Sequence, residues 1–131
     1  MKAALLILVF AALTLSGADK KQKKSKPPDI EMLEVSAKRS EGLIAIDSKV
    51  RNVGEKPIRG LTVIFEFFGP GHVPLTTQKA TVEEQSLDKG EEATIRAQLN
   101  DPVRAVSVEI SAVDEPGHDL KVVRPGPYPI E

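Results

Sequence analysis

VRNVGEKPIRGLTVIFEFFGPG, residues 50–71, decides how the rest of the chain is read. Asn52-Val53-Gly54-Glu55-Lys56-Pro57 holds an Asn, a Gly and a Pro within one short span, which is turn chemistry. Gly54 is expected to take positive φ in a hairpin joining the strands on either side. Pro57 has no N–H to give, so strand pairing must pause there. Leu61 to Phe68 follows, rich in β-branched and aromatic residues. Alternation places Leu61, Val63, Phe65 and Phe67 on one wholly apolar face, and Thr62, Ile64, Glu66 and Phe68 on a mixed one. The first face should point into the core and Phe68 outward. Gly69-Pro70-Gly71 ends the strand.

The same grammar repeats outward. Toward the N-terminus, Leu33, Val35 and Ala37 alternate with Glu34, Ser36 and Lys38. Ser40-Glu41-Gly42 turns, and Leu43 to Asn52 sets Ile44, Ile46, Ser48 and Val50 on one side. Toward the C-terminus, His72 to Leu87 is irregular and reads as a twisted, charged edge strand. Leu87-Asp88-Lys89-Gly90-Glu91 is a turn with Gly90 at its strained position. Glu92 to Leu99 alternates cleanly, with Ala93, Ile95, Ala97 and Leu99 inward. After Asn100-Asp101-Pro102, Val106, Val108, Ile110 and Ala112 share a face, and Leu120 to Val123 can add a last short strand. About seven short strands with frequent turns, and no helical period outside the N-terminal leader, predict an all-β antiparallel sandwich over 29–124. The Pro-rich residues 125–131 are expected to be a tail or the cover of a sheet edge.

The first 18 residues read as a signal peptide: Lys2, an apolar run from Ala3 to Leu13, and Ser16-Gly17-Ala18 as a small-residue cleavage site. The run is shorter than a membrane-spanning helix needs. Cleavage after Ala18 would leave Asp19 first; an uncleaved anchor is the other reading. With Cys absent, a thioether-linked lipid, a disulfide and a thiolate zinc site are all excluded. The chain is therefore expected to be exported, periplasmic or secreted, and not lipidated. Residues 19–28 form a Lys- and Pro-rich linker carrying five lysines. From Pro27 onward 12 basic side chains face 18 acidic ones, which argues against nucleic acid as a partner.

Val50-Arg51-Asn52-Val53-Gly54, followed by Pro57-Ile58, resembles the opening of the bacterial FxLYD-type domains. Phe65-Glu66-Phe67-Phe68-Gly69 falls where that family's F-x-L-Y-D would stand, with Phe, Phe and Gly replacing its last three residues. Leu87-Asp88-Lys89-Gly90-Glu91 is similar to its later L-x-P-G-E turn, Lys89 standing for the Pro. The likeness covers about residues 29–112. It implies an immunoglobulin-like or fibronectin-III-like sandwich in an exported bacterial protein, with structural motif residues and no known catalytic ones.

Candidate chemistry is sparse. His118 lies between Asp114 and Asp119, an arrangement that would suit a metal or a proton transfer; a solvated turn is the simpler reading. His72 has no acidic neighbour in sequence. Glu83-Glu84 and Glu91-Glu92 lack the spacing of a calcium loop. No phosphate loop or nucleophile elbow is present, and Tyr128 with Arg124 in the tail would suit a docking peptide. No catalytic residue and no cofactor is expected. The function expected is a non-enzymatic interaction or envelope-accessory module, binding protein or envelope glycan through a sheet edge or loops. The rivals are a small metal-dependent accessory domain or enzyme using the His118 loop, and a structural spacer.

Overall fold

The computed structural model describes residues 27–82 and 86–131. The leader, the lysine cluster and the Glu83-Glu84 pair lie outside the described residues. The chain is all-β, in several sheets, consistent with a β-sandwich. Six long strands carry it: β1 (Ile30–Ser40), β2 (Leu43–Asn52), β4 (Thr62–Gly69), β5 (Val73–Thr81), β7 (Glu92–Asn100) and β8 (Ser107–Val113). Five two-residue strands complete it: β3 (Ile58–Arg59), β6 (Ser86–Leu87), β9 (Asp119–Leu120), β10 (Val122–Val123) and β11 (Tyr128–Pro129). One sheet runs β10-β1-β2-β7 and another β11-β8-β4-β5, with β9 beside β8 and β3 paired to β6. No helix among the described residues is long and apolar enough to cross a membrane.

Alternation builds the core. Val63, Phe65 and Phe67 of β4 are buried, as is Leu61 just before it. Ile44, Ile46, Ser48 and Val50 of β2, and Ala93, Ile95, Ala97 and Leu99 of β7, are buried from the facing sheet. Each strand thus buries the face that its period-two pattern marks.

The structure corrects the sequence reading at five places. First, Asn52 to Pro57 is not a hairpin. β2 lies in one sheet and β4 in the other, so the segment is a crossover between them. Gly54 does not take positive φ; Gly60 does, at φ 61. Second, the register of β1 shifts between Met32 and Glu34, which leaves Leu33 as an extra residue and puts Ile30 and Met32, rather than Leu33, in the core. Third, Phe68 faces away from Phe67 yet is buried, because the His72 ring stacks on it with centroids 4.0 Å apart. Fourth, Val106 is exposed and Ala105 buried in its place, since the tight turn at Pro102–Arg104 changes the phase before β8 begins. Fifth, the last short strand breaks at Lys121. β9 pairs antiparallel with β8, and β10 pairs parallel with β1, so the sheets are not wholly antiparallel. The Lys121 carbonyl accepts from the N–H groups of Asp29 and Ile30, and its N–H donates to Asp29 Oδ2, which holds the crossing point between the sheets.

The edge readings hold. β5 is the edge of its sheet, and Leu75 is an unpaired residue within it. The tail covers an edge on both sheets: β11 pairs with β8, and Glu131 exchanges backbone bonds with Ala37 and Arg39 of β1.

Gly60 and Gly54 make a direct contrast. A Cβ at Gly60 would lie 2.7 Å from the Glu115 Cβ, on a backbone that side chains rarely adopt. A Cβ at Gly54 would meet only ordinary contacts of 3.5 Å or more. Gly60→Ala should therefore cost about 1–3 kcal/mol in urea unfolding, and Gly54→Ala about 0.5 kcal/mol or less. Equal losses at the two positions would contradict the crossover geometry.

Candidate functional site

Two ends of the sheets carry polar or exposed apolar features, and they differ in kind. The first is built on Asn52. Its side chain is wholly buried, at 0 % exposure. Nδ2 donates to the carbonyls of Lys56 at 2.9 Å and Leu87 at 2.8 Å, while Oδ1 accepts from the Gly54 N–H at 2.9 Å. The Asn52 N–H donates to Glu91, and its carbonyl accepts from Gly90. The motif residues Asn52, Gly54 and Gly90 thus meet in one hydrogen-bonded cluster, and the carbonyl before Pro57 joins it. Phe65 and Phe67 lie deep in the core instead, and Phe68 lies outside it.

Beside this cluster runs a groove of about 400 Å³, lined by Pro28, Val53, Pro57 and Leu120 with the carboxylates of Asp29 and Asp114. Asp114 belongs to the His118 loop. Its Oδ1 accepts from the N–H groups of Gly117 at 3.1 Å and His118 at 2.7 Å, and its Oδ2 lies 3.4 Å from His118 Nδ1. Burial opposes ionisation of the Asp114 carboxyl, but these donors and the imidazole outweigh it and lower its pKa. Asp119 sits in β9, in register with Val113. The loop brings Asp114 and His118 together as a capped turn. Among the described residues, no group of three His, Asp or Glu side chains is arranged to hold a metal ion.

Glu91 and Glu92 are engaged within the fold: Glu91 accepts from the Asp88 N–H, and Glu92 pairs with Arg51. The Tyr128 hydroxyl donates to the Arg124 carbonyl, a bond within the C-terminal segment. Sequence reasoning missed the partner of His72. Glu109 on β8 lies 3.4 Å from His72 Nε2, a contact between residues far apart in the chain.

The opposite end is apolar. The large exposed hydrophobic residues among the described residues, Leu43, Val73, Leu75, Val103 and Val106, belong to it. Val73 stands in register with Gly69, and a Cβ on that glycine would lie 3.5 Å from both the Leu75 side chain and the Arg104 carbonyl. The Val106 N–H donates to Phe68, and Leu43 pairs with Asn100. Val103 is the extreme case, 79 % exposed and at φ 65. The Arg104 N–H donates to the Pro102 carbonyl at 2.6 Å across it, closing a γ-turn. A β-branched residue at positive φ is strained, and such strain persists only when the surroundings impose it.

Here the surroundings are an Arg39 clamp. Its Nε donates to Asp101 Oδ2 at 2.6 Å and its Nη2 to Oδ1 at 3.2 Å and to the Ala105 carbonyl at 2.6 Å. Asp101 Oδ1 also accepts from the Val103 N–H at 2.8 Å. The clamp was not legible in sequence, because Arg39 and Asp101 are 62 residues apart.

No family model matches the chain, and no curated protein is similar enough to match it.

The Arg39 guanidinium beside Asp101 holds that carboxyl below its usual range, and Arg51 does the same for Glu92. A carboxylate with a lowered folded pKa contributes stability that is present above its unfolded value, about 3.9 for Asp. That stability is lost as pH falls through the folded value. The melting temperature should therefore begin to drop below about pH 5 and go on falling as the pH passes the unfolded value of about 3.9, and Asp101→Asn, which cannot titrate, should show a smaller drop. An unchanged drop in thermal melts would mean that the clamp contributes nothing to acid sensitivity.

Proposed function

We propose that this chain is a non-enzymatic, exported interaction module of the FxLYD type, with an immunoglobulin-like or fibronectin-III-like sandwich, periplasmic or secreted and without a lipid anchor. It binds a protein partner through the loops of its apolar end. The strand order supports the fold reading: β1-β2-β7 forms one sheet and β8-β4-β5 the other, so the chain changes sheets between β2 and β4, between β5 and β7, and between β7 and β8. The hydrophobic leader and the absence of Cys support export without lipid.

The observation that carries the binding reading is Val103. A bidentate salt bridge holds an exposed aliphatic side chain in a strained turn. An exposed apolar patch is a mark of association, and strain kept at a loop tip is a mark of use. The aliphatic character of Val73, Leu75, Val103 and Val106 favours a protein surface over a glycan, which an exposed aromatic ring would serve better.

Relief of the strain separates use from structure. Val103→Gly should fold at least as stably as the parent, since Gly takes φ 65 without a Cβ clash. Val103→Asp should fold as well, because the side chain is exposed. In pull-downs from the native envelope, a protein captured by the parent should be lost from both variants and kept by His118→Ala. Retention by the Val103 variants, or loss from His118→Ala alone, would contradict the reading.

A further inference from the structure

The sheets end on two long edges, β5 and β7, and the chain treats them differently. β5 carries Pro74, the extra residue Leu75 and the outward Lys79, three devices that discourage pairing with another chain. β7 carries no proline and no extra residue, and its outward charges, Glu92 and Arg96, are of opposite sign. It has nine residues, EATIRAQLN, in unbroken register with β2 and without proline.

The backbone of β7 shows which groups face its open side. The Gln78 side chain reaches round from β5, donating to the Asn100 carbonyl at 2.9 Å and accepting from the Asn100 N–H at 3.2 Å. Asn100 therefore points its backbone groups away from β2. By the period of two, Gln98, Arg96, Thr94 and Glu92 do the same. The Glu91 carbonyl accepts from Asn52 of β2, which agrees with that phase. No described strand pairs with this edge. Gln78 caps it at one end, and the turn at Gly90 bounds it at the other.

The side chains along this edge are self-complementary. Glu92 and Arg96 flank Thr94 by two residues each, on the solvent face. We propose that the chain forms a two-fold dimer by antiparallel pairing of β7 with β7 of a second copy, centred on Thr94. Thr94 then faces its counterpart, and Glu92 faces Arg96 of the second copy on both sides of the axis. A slip by one pairing step would set Thr94 opposite Arg96 and Glu92 opposite Gln98, with no charge match.

The match extends across the sheet. Glu31 of β1 is in register with Arg51 of β2, and Arg51 with Glu92, to which it is bonded at 2.7 Å. Asp47 is in register with Arg96, 3.7 Å away. In the dimer one row reads Glu31, Arg51, Glu92, then Arg96 and Asp47 of the second copy, alternating in sign throughout. Arg96, whose side chain is 81 % exposed, gains a second carboxylate there. On the inner face, Ala93 comes opposite Ile95 of the second copy, extending the apolar layer. This dimer is independent of the loop reading, because it uses a sheet edge and not the apolar end.

Sedimentation equilibrium of the purified chain between about 10 μM and about 1 mM, which spans weak self-association, tests it. The expected result is a mass that rises from monomer to dimer. Thr94→Pro removes only an outward N–H, which an edge strand tolerates, and should remain monomeric with its fold intact by circular dichroism. Arg96→Glu sets like charges opposite each other twice and should weaken the dimer by about tenfold or more; it decides the matter if the proline variant does not fold. A parent that stays monomeric throughout, or variants that dimerise as the parent does, would overturn the proposal. Val103→Gly should leave the dimer unchanged, so failure here and failure of the loop reading are distinguishable.

Discussion

A single buried amide holds one end of this protein together. Asn52 is the last residue of β2, at the point where the chain leaves one sheet for the other. A buried backbone that stops pairing must find other partners for its N–H and C=O groups. The Asn52 side chain supplies three of them, bonding Lys56, Leu87 and Gly54, while its backbone bonds Gly90 and Glu91. Two loops far apart in sequence are joined through one residue without a disulfide. The Asp29 carbonyl adds to the same end by accepting from the N–H groups of Val53 and Gly54. An amide suits this place because it offers donors and an acceptor together with no charge to bury.

The far end is arranged the other way. There an ion pair and a stacked ring hold the loops, and the apolar side chains remain in water. Arg39 of β1 fixes the Asp101–Ala105 loop that links β7 to β8, and His72 covers Phe68 where β4 gives way to β5. The contrast gives the molecule a hydrogen-bonded end and an apolar end. The edges divide likewise: β5 is blunted, whereas β7 keeps a straight row of backbone groups.

The strand faces were legible because period-two alternation is a local property. The buried residues of β2, β4 and β7 follow directly from it. What sequence hid was set by contacts distant in the chain. Asn52-Val53-Gly54 has the composition of a hairpin turn, but its Asn is aimed inward at Leu87, so the segment crosses between sheets instead. Leu33 fits the alternation of β1 only until its register shift takes it out of phase. Phe68 was placed on the correct face, yet its burial depends on His72, whose φ of 62 returns the ring over it. The acidic neighbourhood of His118 was visible in sequence, and it serves a capped turn. The pairing of His72 with Glu109 and the clamp on Val103 had no local signal at all.

Urea unfolding of Asn52→Ala tests most directly whether the buried amide organises the fold. The substitution leaves the Lys56 and Leu87 carbonyls without the amide donor, while the Gly54 N–H keeps the Asp29 carbonyl, and each unsatisfied buried group costs about 1–3 kcal/mol. A loss of about 3 kcal/mol or more, with an unchanged denaturant slope, is the expected result. A loss of about 0.5 kcal/mol or less, the scale of a surface substitution, would show that the two loops hold their places without Asn52 and would contradict the account.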